Sequence, residues 1–184
     1  MILLLAVLAG LVAGIAGALL RKEPYRPPEL RAPWLAILAF VPQLVAFYFP
    51  TTRAVLPDAW ASAGLITSQI LLLGFAWLNR HVSGMSLIIA GLVGNLLAII
   101  ANGGFMPISP QTAARLISSP LPETGSRLGY SKDILLTAEE TRLAWLSDRY
   151  LLPEWFPYRS VISLGDILIA AGAFWLLARR RLQT

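Results

Sequence analysis

The chain is 184 residues long, with 57% hydrophobic residues, 14% charged residues and a formal net charge of +5, and its mean hydropathy is +0.66. That composition is too apolar for a soluble domain of this length and excludes a disordered chain. With no cysteine and a single histidine, His81, the sequence excludes a disulfide scaffold, a zinc ribbon, a thiol nucleophile and a cysteine-ligated iron–sulfur cluster. No metal and no cofactor is expected.

The expected class is an all-α integral membrane protein forming one membrane domain over residues 1–184. Residues 1–20 carry no charged side chain and are long enough to cross about 30 Å of hydrocarbon. A signal peptide is the rival reading; no basic segment precedes the apolar run, and Arg21 and Lys22 follow it directly, which favours a retained span. Further apolar runs at about 34–49, 59–78, 85–101 and 161–178 are each bounded by charges, prolines or glycines. Five spans follow, with an external segment at about 102–160 between the fourth and fifth.

Within the first span Ala6, Gly10, Gly14 and Ala18 share one helical face and Ala9, Ala13 and Gly17 the next, a small-residue ridge that lets a second backbone approach. The partner is either a helix of the same chain or a second subunit, including a second copy of this one. Pro42 should kink the second span, and Gln43 beside it and Gln69 in the third are expected to bind neighbouring helices. The stretch from Glu23 to Glu29 contains three prolines and reads as a stiff spacer, with a polyproline ligand as the alternative.

Basic residues set the orientation. Arg21, Lys22, Arg26 and Arg31 follow the first span, Arg80 and His81 the third, and Arg179, Arg180 and Arg181 the fifth, so these three regions belong in the cytoplasm. The opposite side receives the uncharged N-terminus, Arg53, and a long segment whose six basic residues are balanced by six acidic ones. Trp34, Trp77 and Trp175 at one set of ends, and Tyr48, Phe49, Trp60, Trp155, Phe156 and Tyr158 at the other, fit two interfacial belts. The positive charge is thereby assigned to topology, and nucleic acid is not an expected partner.

The segment 102–160 is expected to form a small helical cap outside. Gly103 and Gly104 should end the fourth span through positive φ. A short helix should run over 111–117 from Ser109-Pro110, and 120–129 should be loop. Thr137 and Glu140 have capping-box spacing, predicting a helix with an apolar stripe of Leu143, Leu146, Tyr150 and Leu151, and Trp145 nearby, that Pro153 stops. Asp148 and Arg149 within it read as a solvated ion pair or a site.

Asp166 is the one ionisable side chain inside a predicted span, which makes it the default functional candidate. Asn95 and Asn102 lie two turns apart on one face of the fourth span, and Asn102 and Asp166 fall at similar depth. They form either a carboxyl–amide bond that joins two helices or a polar pocket for a headgroup, proton or substrate.

Two resemblances bear on function. The elements Ala101-Asn-Gly-Gly-Phe-Met-Pro107, Thr141-Arg-Leu-Ala-Trp-Leu-Ser-Asp148 and Ser163-Leu-Gly-Asp166 resemble a bacterial multi-span family known only as a domain of unknown function. That resemblance implies a segment outside the membrane before the last helix and says nothing of an activity. Gly91-Leu-Val-Gly94-Asn95 and Ile162-Ser-Leu-Gly-Asp166 are similar in part to the two aspartate-bearing elements of lipoprotein signal peptidases, which implies an aspartyl dyad near the outer face. Ala98 and Ile99 stand where that family has its first aspartate and its arginine, and alanine neither activates water nor donates a proton.

The expected function is that of a bacterial inner-membrane protein with no chemistry of its own: a non-catalytic subunit, a scaffold, or a binder of lipid or a protein partner. Its expected partners are membrane lipids, with other membrane subunits or a homo-oligomer through the first helix. The alternative is a membrane-embedded hydrolase or lipid-modifying enzyme using Asp166 with Asn95 and Asn102. A transporter is third, since five spans without an inverted repeat do not suit alternating access.

Overall fold

The computed structural model describes residues 2–117, 120–153, 156 and 158–179. The chain is mostly helical. Its elements are α1 (Ile2–Leu20), α2 (Pro33–Gln43), α3 (Pro50–Arg53), α4 (Asp58–Leu78), α5 (Met85–Ala101), β1 (Met106–Ile108), α6 (Pro110–Ala114), β2 (Asp133–Leu135), β3 (Tyr150–Leu151), β4 (Val161–Ile162) and α7 (Leu164–Ala178).

Each apolar run is helical over most of its length. At Pro42 the disturbance takes the form of a π turn, Leu44–Tyr48, that continues α2. The Thr52 hydroxyl donates to the Val45 carbonyl within it, replacing part of the lost backbone pairing. Asp58 opens α4, where a carboxylate favours the positive end of the helix dipole. Ser163 caps α7, so residues 161–162 are strand rather than helix and the last helix is shorter than its apolar run.

Two of these helices, α1 and α4, are long and apolar enough to cross a membrane among the described residues. The α2–π segment Pro33–Tyr48, α5 and α7 are apolar but shorter. Among the described residues the structure therefore shows five apolar helical segments, two of them of crossing length, rather than five full-length spans.

The helices pack as an open row: α1 on α7, α7 on α5, α5 on α4, and α4 on α2. Glycines set the two α7 seams. A Cβ on Gly10 would lie 2.7 Å from the Phe174 carbonyl oxygen, and one on Gly14 would strike the Leu177 carbonyl, so α1 and α7 run parallel at backbone contact. On the other side of α7, Gly172 meets Gly84 and Gly165 meets Gly91, so α5 and α7 are antiparallel. Gly17 faces only the Arg21 side chain. Between α2 and α4, Gln43 Nε2 donates to Ser68 Oγ at 2.6 Å, as expected of an interhelical amide. Gln69 makes no such bond among the described residues; its Oε1 is buried without a partner.

Residues 21–32 cross one end of the row as a strap. Tyr25 donates its hydroxyl to the Leu177 carbonyl at 3.1 Å, and Asn79 binds both backbone groups of Arg31, accepting at 2.6 Å and donating at 3.0 Å. Arg21, Lys22, Arg26, Arg31, Arg80 and Arg179 collect at this end, with Arg179 bonded to Ser83. Arg180 and Arg181, and Trp155 of the opposite end, lie outside the described residues.

At the other end the described residues of 102–162 form a compact cap, and here the helical expectation fails. β1 pairs parallel with β2 and β3 antiparallel with β4. Pro107 keeps β1 extended, and the fully buried strand seats the cap on a core of Phe47, Leu65, Ile99, Phe105 and Leu146. The helix predicted from Thr137 is a single turn, because the Thr137 hydroxyl donates to the Glu140 carboxylate instead of accepting a helical amide. Leu143 then adopts φ of +54°, a 3₁₀ turn covers Ala144–Leu146, and the Asp148 and Arg149 amides bond Pro107 and Ile162 across the cap. The short helix at Ser109-Pro110 is present as α6, and Gly104 has φ of +91° with Ser62 pressed against it, as the end of α5 requires.

Gly172→Ala places a methyl 2.6 Å from the Gly84 carbonyl oxygen and 2.9 Å from the Ile88 nitrogen. It is expected to lower stability by about 1–3 kcal/mol. Gly74→Ala, with nothing within 4 Å of the added atom, is expected to be neutral or to stabilise by about 0.5–1 kcal/mol. Unfolding of both variants in detergent checks the contrast.

Candidate functional site

Asn95 on α5 lies opposite the start of α7, and only a glycine at 165 leaves room for it, since a Cβ there would collide with Asn95 Oδ1. The amide reads both residues of the α7 cap. Its Nδ2 donates to Asp166 Oδ1 at 2.9 Å, and its Oδ1 accepts from Ser163 Oγ at 2.9 Å. Ser163 Oγ accepts the Asp166 N–H at 3.0 Å, while Asp166 Oδ2 accepts the Ser163 N–H at 3.3 Å, completing a capping box. Asp166 thus has donors on both oxygens, and its charge sits at a helix N-terminus.

A second group of charges lies beside this seam. Lys132 Nζ donates to Asp148 Oδ2 at 3.1 Å; the Asp148 side chain is 3% exposed and that of Lys132 is 39% exposed. Asp148 Oδ1 and Asp133 Oδ1 are buried and accept no hydrogen bond among the described residues. Burial pushes the Asp148 carboxyl up to about 7, against the pull of Lys132 and with further help from Asp133 and Asp166. For Lys132 burial acts downward, and the three carboxylates outweigh it, holding the ammonium above its ordinary range. Lys132 is therefore a fixed cation, unsuited to act as a nucleophile or Schiff-base amine, and Asp148 is the group that exchanges a proton near neutrality.

Asn102 does not meet Asp166. It donates to the Ala98 carbonyl at 2.7 Å and to the Arg142 carbonyl at 2.9 Å and accepts the Arg142 N–H at 2.9 Å, a three-point clamp between α5 and the cap. Arg149 does not pair with Asp148; it is exposed and lies over the Tyr150 ring at 5.9 Å. Of the five polar residues expected at a site, the structure joins Asn95 to Asp166, brings Asp148 within electrostatic reach, and leaves Asn102 and Arg149 apart.

Sequence reasoning passed over Ser163, Lys132, Asp133 and Arg127. Ser163 and Asp166 have the three-residue spacing of a cap, a legible signal that was applied only to Thr137 and Glu140. Lys132 and Asp133 sit in a segment without periodicity, so nothing local marks them. Arg127 bonds Asp58 at 2.8 Å and lies over the rings of Phe105 and Phe47, 5.1 and 5.5 Å from their centres, fastening the cap to α4 and to the π turn. Among the described residues no group of three or more acidic or histidine side chains is arranged to hold a metal ion.

A family model described as "Family of unknown function (DUF5317)" matches residues 28–178, and the chain belongs to that family. Neither characterised proteins nor solved structures give a match. In the part of the seam likened to lipoprotein signal peptidases, Ala98 and Ile99 are packed in the core, 0% and 2% exposed, and supply no second carboxylate beside Asn95.

Asn95→Ala leaves the fully buried Ser163 hydroxyl and Asp166 Oδ1 each short of a partner. The expected cost is about 1–3 kcal/mol, read from unfolding in detergent, with Asn95→Asp worse because it sets a second carboxyl against Asp166. A cost for Asn95→Ala below about 0.5 kcal/mol would contradict a tying role.

Proposed function

We propose that this DUF5317 chain is a multi-pass protein of a bacterial plasma membrane, with five crossing helices, an external cap and a cytoplasmic C-terminus, that serves as a non-catalytic scaffold or as a binder of lipid or a protein partner. The observation that carries this reading is the open row of apolar helices. Large side chains such as Leu4, Leu8, Val12 and Leu19 on α1, Ile37 and Phe40 on α2, and Leu97 and Ile100 on α5 are exposed along it and need hydrocarbon or another protein as cover. The row ends in α1 on one side and α2 on the other, each with a single long-helix neighbour.

Three further features support the membrane part. Basic residues gather at the strap end, and exposed Trp34, Trp77 and Trp175 lie beside them, while Tyr48, Phe49 and Trp60 are exposed at the cap end. The parallel run of α1 and α7 agrees with an odd number of crossings between them. The shortness of α5 and α7 is met by the cap, whose strands β1 and β4 continue from them with backbone paired inside protein, the setting in which irregular backbone is tolerated at membrane depth. The bacterial placement rests on the resemblance to a bacterial multi-span family. Gly10 and Gly14 are occupied by α7, so a homo-oligomer through α1 would use its outer, leucine-rich face.

The non-catalytic part rests on how Asn95, Asn102 and Asp166 are spent on bonds within the chain. The enzyme reading keeps one specific support: a buried carboxyl, Asp148, poised near neutrality within electrostatic reach of Asp166.

The chain has no cysteine, so single cysteines at Lys22, His81 and Ser126 report cleanly on topology in cells. Ser126 is expected to label from outside, Lys22 and His81 only after the cytoplasm is opened; Ser126 labelling with the other two overturns the arrangement. Chain purified from such membranes in mild detergent is expected to carry a defined lipid or membrane partner by mass spectrometry. Loss of a hydrolytic activity in folded Asp166→Asn or Asp148→Asn protein would favour the enzyme instead.

A further inference from the structure

Three chain segments meet around one ammonium group. Lys132 and Asp133 lie at the start of β2, Asp148 lies between the 3₁₀ turn and β3, and Asp166 lies in the first turn of α7. Three carboxylates against one ammonium leave negative charge in excess. Asp148 is fixed by its own backbone, whose N–H donates to the Pro107 carbonyl at 3.1 Å and which bridges Ile108. Its Oδ2 receives Lys132, and its Oδ1 and the Oδ1 of Asp133 are buried with no donor. Leaving buried acceptors unmet is costly, and a proton is the smallest ligand that relieves it, because a protonated carboxyl loses its charge and gains an O–H donor.

We propose that Asp148 is the proton-binding site of a latch that holds the cap against the start of α7. Protonated, Asp148 lets the segments carrying Lys132, Asp133, Asp148 and Asp166 close on one another. Ionised, it sets three carboxylates against the single Lys132 ammonium, the cap loosens, and the seam holding Asn95, Ser163 and Asp166 opens to its surroundings. The charged groups facing Asp148 are Lys132, Asp133 and Asp166; β1, α5 and the 3₁₀ turn carry no ionisable side chain. The proposal needs neither the five-span count nor an orientation.

The sign follows from linkage. In the opened cap Asp148 returns toward the ordinary carboxyl value of 3.8, whereas in the closed cap it is pushed up to about 7. The closed form thus binds the proton more tightly, is favoured below this window, and is weakened as pH rises through it. Lys132, held above its ordinary range, stays charged across the window and adds no slope there.

Hydrogen exchange of the full chain in detergent or nanodiscs tests the latch at pH 5 and pH 8. After correction for intrinsic exchange, peptides containing Met106 and Asp148 are expected to lose protection by about tenfold or more on going to pH 8, and Asp148→Asn is expected to reduce that loss to less than about twofold. The same pH dependence in Asp148→Asn, or none in the wild type, overturns the proposal. Should Asp148→Asn fail to fold, Asp133→Asn decides: removing one neighbouring carboxylate must move the midpoint to lower pH, and an unmoved midpoint contradicts the latch.

Discussion

The structure depends on how closely the α7 backbone approaches a helix on either side. Gly10 and Gly14 admit it on the α1 side, and Gly84, Gly91, Gly165 and Gly172 admit it on the α5 side. In an apolar setting helices gain little from burying hydrophobic surface against one another, so van der Waals contact at this distance is what holds the seam. The same approach creates the polar site. With any larger residue at 165, Asn95 could not reach the α7 cap, and Ser163 and Asp166 would close their box without a tie to α5.

The cap shows the opposite economy, in which polar groups do the fastening. Asn102 clamps Arg142, Arg127 joins Asp58 and two aromatic faces, and Lys132 draws carboxylates from separate segments together. Each of these joins residues distant in sequence, and two of them bring charge into partly or wholly buried positions, where breaking one partner costs more than the pair contributes. The cap is thus the part of the molecule most open to adjustment by protons.

The helices were legible because apolar runs bounded by proline, glycine and charge carry their own signal, and the Gly10–Gly14 ridge announced a close contact without naming α7 as its partner. Asp166 stood out as a lone carboxyl in an apolar run; depth matched it to Asn102, whereas its partner in the structure is Asn95, two turns away on the same helical face. The cap was not legible to the same degree. Thr137 and Glu140 satisfy a capping pattern and still give only a single turn, because the Thr137 hydroxyl turns to the Glu140 carboxylate and the Arg142 N–H is taken by Asn102 Oδ1, a partner that no local window contains. Lys132 acquires its meaning only when β2 pairs with β1 and carries it to Asp148, a consequence of tertiary pairing over non-local distance. The length of α7 was overestimated for a related reason, since residues 161–162 are strand and the helix begins only at Leu164, whereas α5 has the expected bounds 85–101.

The central claim is that α7 is the hub, seated between α1 and α5 of its own chain. Cysteines at Ala6 and Ala170, one helical turn from the Gly10–Phe174 contact toward the N-terminal ends, test it in native membranes with two differently tagged copies expressed together. Mild oxidation should close a disulfide within one chain and leave both tags on separate monomers. Disulfides joining the two tags, or none at all because residues 1–20 have been removed from the mature protein, would contradict the account.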